Sequence, residues 1–339
     1  MPVFEELGPG VWAAVREDNP RFPVMGTATF VISEEGVVVF DGGGAPLMAE
    51  RIIDKIRSLT DQPVTHVIVS HWHGDHNFGI FRYLEEFPNV QVIAHEFTEA
   101  VFNGTRINYI DGMPTQIPTF KGQIEEGLRE GKRLNGEPLS DVMRRVYERI
   151  LEDADLIHAE YNRVKVTNAT LTFEDKLTIR SGNRLIELMF MGDGNTAGDI
   201  IMWLPEEKIV SAGDIIVHPV PYAFNMPPKK WGETLRRIKA LGYETLVPGH
   251  GEVQRDNSFI DLLIETADSV VAQRDRLVAE GIAEEEAIQQ IDFSGVEERF
   301  TGGSEYLALY YNSWFKRPMA AAAFKELKGI PMVTPNREE

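Results

Sequence analysis

The stretch that decides the fold is His71-Trp72-His73-Gly74-Asp75-His76. It directly follows an apolar run, Val67–Val69, whose composition indicates a buried strand. The turn at the carboxyl end of that strand therefore carries three imidazoles and a carboxylate, the ligands preferred by zinc and its first-row neighbours. Within the turn, the first two histidines can face one position while the Asp-His pair serves a second. The stretch predicts a metal site.

The composition describes an ordinary globular chain with an acidic surface. Its 339 residues suffice for one large domain or two smaller ones, with 43% hydrophobic and 26% charged residues. The net charge of −19 argues against nucleic acid and against anionic membrane surfaces as partners. Cysteine is absent, which excludes disulfides, thiolate ligands and a cysteine nucleophile.

The cellular compartment is predicted from the first twenty residues and from the length of the apolar stretches. The first twenty residues hold four acidic side chains and no apolar core of a signal peptide, and no stretch approaches the length of a membrane span. We therefore expect a cytoplasmic protein with no membrane partner. A secreted precursor that had already been trimmed would look the same.

The first half of the chain alternates strands and helices, which predicts a layered α/β domain. The predicted elements are strands at Thr27–Ile32 and Val37–Phe40, a helix at Pro46–Leu59, the strand before the histidine cluster, a helix at about 78–87 and a strand at Val90–Ala94.

Residues 103–166 depart from this rhythm. They are rich in charge and glycine at first and then form an amphipathic pattern at Asp141–Tyr161. We interpret the segment as a helical insertion packed over one rim of the domain. Such a face usually serves plain packing, and a lid over the site is the less common alternative.

The strand rhythm returns after residue 168 and gives way to helices beyond residue 257. Strands are predicted at Leu171–Phe173, Leu177–Ile179, Leu185–Met191, Ile200–Leu204, Ile209–Val210 and Thr245–Val247, and helices at Trp231–Leu241, Ser258–Glu280, Ser304–Phe315 and Met319–Lys328. The two halves look alike, which indicates two units stacked sheet to sheet. We predict one domain over 1–255 and a packed helical extension over 256–339, which could also serve a homodimer.

Three further turns repeat the pattern of a strand, then glycine, then a polar side chain. They are Gly192–Asp199, Ser211–Asp214 and Pro248–Gly251. Glycine lets the backbone approach a bound group, and loops at strand ends present functional side chains on a rigid scaffold. One such turn is weak evidence, but the set together with the triple-histidine stretch is strong.

With these turns the chain resembles the metallo-β-lactamase fold superfamily over about Val11 to Val253. Two segments, Gly194–Asp199 and Val247–Gly251, look closest to its quinoprotein-relay-like branch. The resemblance implies an αββα sandwich with a helical insertion and a helical C-terminal extension. It also implies a site for one or two metal ions in the groove between the half-domains, with zinc expected and iron or manganese as alternatives.

Six residues match the family's ligand positions. The resemblance implies that one metal is held by His71 and His73, the other by Asp75, His76 and His250, and that Asp214 bridges the two. A hydroxide held between the metals would be the nucleophile, because Lewis acidity lowers the pKa of bound water. Asp75 would also orient that hydroxide, so Asp75 and Asp214 are the expected catalytic residues.

One position departs from the family pattern. Most members carry a histidine where this chain has Asn195, as third protein ligand of the first metal. An amide oxygen is a weaker donor, so we expect that metal to bind loosely or through water. Asp193 and Asp199 lie in the same loop and are expected to stabilise the turn or to support the ligands rather than to ligate.

Aromatic and apolar side chains near these turns are the candidates for the substrate pocket. They are Trp72, Tyr222 and Phe224, with Phe22, Pro23 and Met25 before the first hairpin. The histidines outside the motifs, His66, His158 and His218, are expected to be structural, and for His95 both roles stay open.

The resemblance implies a metal-dependent hydrolase that acts on a small molecule with an ester, lactone, thioester or amide-type bond. Two alternatives come from other classes. One is an oxidoreductase of the mononuclear iron, sulfur dioxygenase type, although this chain has Asn195 at a position where such an enzyme would use a histidine. The other is a non-catalytic metal-binding protein.

Overall fold

Two β-sheets form the centre of the structure, a computed structural model that describes residues 2–16 and 24–337. In these ranges one sheet has seven strands and the other five. The first sheet contains, in both sheet and chain order, β1 (Val3–Gly8), β2 (Val11–Val15), β3 (Ala28–Ser33), β4 (Gly36–Phe40), β5 (Val64–Val69), β6 (Gln91–His95) and β7 (Leu171–Phe173). The second contains β8 (Lys176–Ser181), β9 (Arg184–Phe190), β10 (Ile200–Leu204), β11 (Ile209–Ser211) and β12 (Thr245–Val247).

Each sheet begins as an antiparallel meander and ends in parallel strands. Strands β1 to β4 pair antiparallel and β4 to β7 parallel. Strands β8 to β11 pair antiparallel, and β11 and β12 are parallel. The predicted likeness of the two halves therefore appears in the pairing of their strands.

The two sheets pack face to face, and the side chains alternate between this interface and the outer layers. Val38 and Ile68 lie in a cluster with Leu188 and Met202 of the second sheet, whereas Val39 and Val67 pack on the other side. This period of two places every second side chain on each face of a sheet. Because both faces are covered, the parallel strands read as continuous apolar runs.

Helices cover the outer face of the first sheet. They are α1 (Pro46–Leu59), α2 (Gly74–Asn77), α3 (Ile80–Glu86) and α4 (Glu96–Phe102). Helix α1 begins with proline in its first turn, where the missing N–H costs nothing, and buries Ile52 and Ile56 against the sheet. The helix predicted over 78–87 is observed as α3, and the short helix α2 before it was not predicted.

The insertion consists of a 3-10 turn at Arg106–Gly112, then α5 (Met113–Glu130) and α6 (Asp141–Tyr161). Helix α6 has the predicted bounds, and Ser140 caps it by accepting from the Met143 N–H at 3.3 Å. The sequence did not predict α5. The two helices form a hairpin around a small core of their own, built from Ile124, Val146, Tyr147 and Ile150.

The remaining helices cover the outer face of the second sheet. They are α7 (Pro228–Lys239), α8 (Ser258–Ala279), α9 (Glu284–Gln290), α10 (Ser294–Thr301), α11 (Glu305–Tyr310), a π-helical turn (Tyr311–Lys316) and α12 (Arg317–Leu327). Trp231 of α7 shares one buried cluster with Phe300 and Phe315. The C-terminal helices are thus packed on the sandwich, while the proposed domain boundary and the homodimer stay predictions. In the part of the chain that the structure describes, no helix is both long and apolar enough to cross a membrane.

Candidate metal centre

The residues matched to ligand positions come together at the carboxyl ends of β5, β11 and β12. His71 and His73 follow β5, and Asp75 and His76 lie in α2 directly after them. Asp214 lies in a 3-10 turn after β11, and His250 follows β12. Open α/β sheets commonly bind ligands at this edge, where loops from several strands meet.

These residues form two groups that share Asp214. In the larger group, His76 Nε2 lies 3.1 Å from Asp214 Oδ1 and 3.2 Å from His250 Nε2, and Asp75 Oδ2 lies 3.0 Å from His250 Nε2. In the smaller group, His71 Nε2 lies 2.9 Å from His73 Nδ1 and 3.6 Å from Asp214 Oδ2. Asp214 presents one oxygen to each group, which is the arrangement that a bridging ligand needs.

The chemistry of this cluster fits bound divalent cations. Two pairs of imidazole nitrogens face each other at close range, and such a pair needs a proton or a cation between its lone pairs. The buried atoms Asp214 Oδ1 and Asn195 Oδ1 have no hydrogen-bond partner, which a bound ion would explain. The donor set of nitrogen and oxygen atoms suits zinc and related metals.

The charges of the cluster support the same reading. Burial would lower the pKa of His76, but the carboxylates of Asp214, Asp41 and Asp75 raise it well above its usual value. Burial would raise the pKa of Asp75, but the charge of His76 and the contact with His250 lower it to about 2. Asp75 therefore stays ionised, and the cluster favours a positive charge at His76, a place that a metal ion can take by displacing a proton.

Asp41 supports the larger group and was missed as a site residue. Its Oδ2 lies 2.8 Å from His76 Nδ1, and its Oδ1 accepts from the Ser70 N–H at 2.8 Å. A carboxylate on the far nitrogen fixes the tautomer and orientation of a metal-binding imidazole. Asp41 has a φ of +66°, which aspartate tolerates better than most residues. The sequence signal is Asp41–Gly44, which directly follows the strand predicted at Val37–Phe40 and again places a polar side chain and glycines at a strand end.

The loop after β9 places Asp193, Asn195 and Asp199 in different surroundings. Asn195 is buried beside the smaller group, with its Nδ2 3.3 Å from Asp214 Oδ2. Asp199 is buried behind His71, with Oδ1 3.9 Å from His71 Nδ1, and burial raises its pKa well above the usual value. Asp193 instead pairs with Lys230 at 2.7 Å. Only Asn195 approaches a carboxylate of the ligand groups.

A cavity of about 610 Å³ opens beside the cluster, and His73 and Asp75 line it. Trp72 lies in its wall, whereas Tyr222 packs its ring 4.9 Å from that of His250 and is almost fully buried. Phe224 is 47% exposed and is not among the lining residues of this cavity. Met25 packs near Gly44, and Phe22 and Pro23 lie outside the described residues.

The other four histidines lie outside both ligand groups and have local contacts. His66 bonds to Thr65 Oγ1 at 2.9 Å, His95 caps α4 by accepting from the Phe97 N–H at 3.0 Å, His158 bonds to the Pro114 carbonyl at 2.9 Å, and His218 packs on Phe259. The structure gives His95 a helix-capping role.

Fold and cluster together define a class of protein, an αββα sandwich with a candidate metal centre at one edge of its stacked sheets. The chain belongs to the metallo-beta-lactamase superfamily, whose family model matches residues 21–250. A solved metallo-beta-lactamase from Pontibacter korlensis has a TM-score of 0.53, with 17% identity, and covers 79% of this chain and 99% of its own. The predicted fold class is therefore confirmed, while the branch within the superfamily stays a prediction.

Curated relatives of this chain include hydrolases. A linear primary-alkylsulfatase from Pseudomonas sp. (strain ATCC 19151) is 20% identical over 297 residues, which cover 82% of this chain and 52% of that protein. An atrochrysone carboxyl ACP thioesterase from Pseudocercospora fijiensis (strain CIRAD86) is 30% identical over 95 residues, which cover 27% of this chain and 28% of that protein. The chain thus spans about half of the sulfatase and less of the thioesterase.

Proposed function

We propose that this chain is a metal-dependent hydrolase of small molecules with an ester, lactone, thioester or amide-type bond. The observation that carries the proposal is the pair of ligand groups sharing Asp214 at the edge of the 610 Å³ cavity. In the reaction, water adds its oxygen to the acyl carbon and the bond to the alcohol, thiol or amine breaks. The leaving group takes a proton, so the products are a carboxylic acid and an alcohol, thiol or amine.

The ligand groups assign a role to each of their residues. His71, His73 and Asp214 would hold one ion, and Asp75, His76, Asp214 and His250 a second. Such ions, with zinc as the expected metal, lower the pKa of water and polarise the substrate oxygen. Asp75 is the carboxylate of the cluster that reaches the cavity, so it can orient water there. Asp41 keeps His76 in place.

The relatives support hydrolysis without fixing the substrate. A sulfatase and a thioesterase both use water to cleave a bond at an electrophilic centre. Because the chain spans only part of either protein, neither substrate is carried over. The thioesterase name agrees with one of the bond types that we propose.

Elemental analysis of purified protein, joined to assays on ester, lactone, thioester and β-lactam substrates, tests the proposal. We expect bound zinc and metal-dependent turnover. Asp214→Ala should lose metal and reduce kcat/KM more than about 100-fold, since even residues outside the ligand shell cost about 10- to 100-fold. Asp193→Ala is the matched control, because its partner is Lys230, and should keep both properties.

Each alternative predicts a different result from the same experiment. Bound iron together with oxygen uptake would favour a mononuclear iron oxidoreductase of the sulfur dioxygenase type over the hydrolase. Stoichiometric zinc without turnover on any substrate would favour the binding protein. Full metal content and activity in Asp214→Ala would refute the assignment of the bridging residue.

A further inference from the structure

The cavity beside the metal cluster has mainly apolar walls. Its lining is aliphatic and aromatic over most of its extent: Val24, Phe78, Met113, Ile117, Phe120, Ile150, Ala154 and Ile157. A volume of about 610 Å³ falls within the usual range of ligand pockets, about 300–1,000 Å³. This space is far larger than the scissile group of an ester needs, so most of it is available to the remainder of a substrate.

The insertion builds the outer wall of this cavity. Met113, Ile117 and Phe120 come from α5, and Ile150, Ala154 and Ile157 come from α6. Helix α6 is fastened to the first half of the sandwich, because Glu160 Oε2 accepts from the Leu47 N–H at 2.6 Å and Asp153 pairs with Arg16 at 3.3 Å. The α6 side of the wall is thus anchored to the sandwich.

The cavity is continuous with the metal cluster. One of its sides is formed by the turn after β5, through Trp72, His73, Gly74 and Asp75. The rings of Tyr109 and Tyr161 pack on the ring of Phe78, directly after α2, with centroids 6.3 and 5.5 Å apart, which ties the insertion to that turn. A molecule that fills the apolar space therefore presents one end to His73 and Asp75.

The charged lining residues disfavour cationic ligands in the cavity. In a chain of net charge −19, Asp75 is the one carboxylate among the lining residues, which include the cations Arg106 and Arg337. A third lining cation, Lys121, is paired with Asp155 at 2.6 Å. The Arg106 guanidinium donates to the main-chain carbonyls of Thr334 and Asn336 rather than to a carboxylate. Such a wall disfavours cationic substrates and accepts neutral or anionic ones.

We propose that the substrate is an ester or thioester with an extended apolar acyl chain, which the α5–α6 wall buries while its carbonyl carbon lies at the His73–Asp75 side. The inference rests on the proposed hydrolase function and names the substrate class of the same site. Hydrolysis releases the apolar carboxylic acid and the alcohol or thiol.

A series of p-nitrophenyl esters from acetate to dodecanoate, hydrolysed by the zinc-loaded protein, tests the chain length. We expect kcat/KM to rise about fourfold with each added methylene until the cavity is full, as burial of a methylene group predicts. Ala154→Trp fills the cavity from α6 and should lower the ratio of decanoate to acetate hydrolysis at least tenfold. Ala159→Trp adds the same bulk at an exposed position of the same helix and should leave that ratio unchanged.

Ile157→Ala provides a second test that does not depend on accommodating a larger residue. It enlarges the cavity, so the preferred chain should become longer by one or two methylene groups. A flat chain-length profile in the native protein, or an unchanged preference in both Ala154→Trp and Ile157→Ala, would overturn the inference.

Binding of dansylaminoundecanoic acid to metal-free protein, followed by fluorescence, separates this inference from the hydrolase proposal. Binding that Ala154→Trp abolishes and Ala159→Trp keeps would support the apolar acyl site even if no ester were hydrolysed. Metal-dependent hydrolysis of short esters without chain-length preference and without probe binding would leave the hydrolase standing and refute the acyl site.

Discussion

Asn195 lies beside the smaller ligand group, which has fewer protein ligands than the other. The smaller group has two histidines and shares Asp214, and the Asn195 amide lies 3.3 Å from that carboxylate. An imidazole is a better donor to zinc than an amide oxygen. We therefore expect Asn195→His to raise the zinc content per chain under limiting zinc, measured by elemental analysis after dialysis.

Asn195→Ala is the matched control, since it removes the amide without adding a donor. It should bind no more zinc than the native chain. An unchanged zinc content in Asn195→His would show that this side chain does not reach the ion.

Site residues that are adjacent in the sequence could be predicted, whereas Asp41, which is distant from them in the sequence, could not. His71, His73, Asp75 and His76 could be predicted because six consecutive residues bring them together. Asp41 joins them only through the pairing of β4 with β5, and its contact with His76 needs the three-dimensional structure. The loop residues Asp193 and Asn195 differ in side-chain direction, which their spacing alone does not determine.

At the scale of the elements, the turn after β12 is fitted closely to the turn after β11. A methyl group added at Gly249 would lie 2.2 Å from Asp214 Oδ1 and 2.6 Å from the carbonyl carbon of Gly213. We therefore expect Gly249→Ala to push Asp214 aside and to lower zinc affinity by about 10- to 100-fold, the range seen when support of a ligand is lost. Competition with a chelating dye measures the affinity.

Gly122→Ala serves as the control for this substitution. Gly122 lies within α5 with no atom near the position of an added methyl group, so alanine should leave zinc affinity unchanged and favour the helix. Equal affinities in both variants would mean that Asp214 does not depend on this turn for its position.

The elements that the sequence predicted best carry strong local patterns. Helices α1 and α6 have the predicted bounds because their apolar faces repeat at the helical period. Helix α5 escaped prediction because it contains Pro118, Gly122 and Gly127, which lower intrinsic helix propensity. Its packing against α6 stabilises it instead, and no local signal reports such a contact.

At the scale of the whole molecule, the end of the described chain returns from the second half to the insertion. The Arg337 N–H donates to Thr105 Oγ1 at 3.1 Å, the Thr105 N–H donates to Asn336 Oδ1 at 3.1 Å, and Val333 is buried in the core of the first half. The helical extension therefore does more than cover the second sheet. It also fixes the turn that carries Arg106 and Tyr109 into the cavity wall.

The metal cluster joins the two halves in a similar way, because His71 to His76 follow a strand of one sheet while Asp214 and His250 follow strands of the other. An ion that binds the folded chain stabilises it by mass action, by about 2.7 kcal/mol when free metal exceeds Kd 100-fold. We expect exhaustive chelation to lower the thermal unfolding midpoint and readdition of zinc to restore it, followed by calorimetry. His95→Gln, which alters a helix cap outside the ligand groups, should respond to zinc like the native chain, whereas Asp214→Ala should lose most of the response. Identical melting curves for the chelated and the zinc-loaded native chain would mean that the cluster does not bind zinc in the folded state.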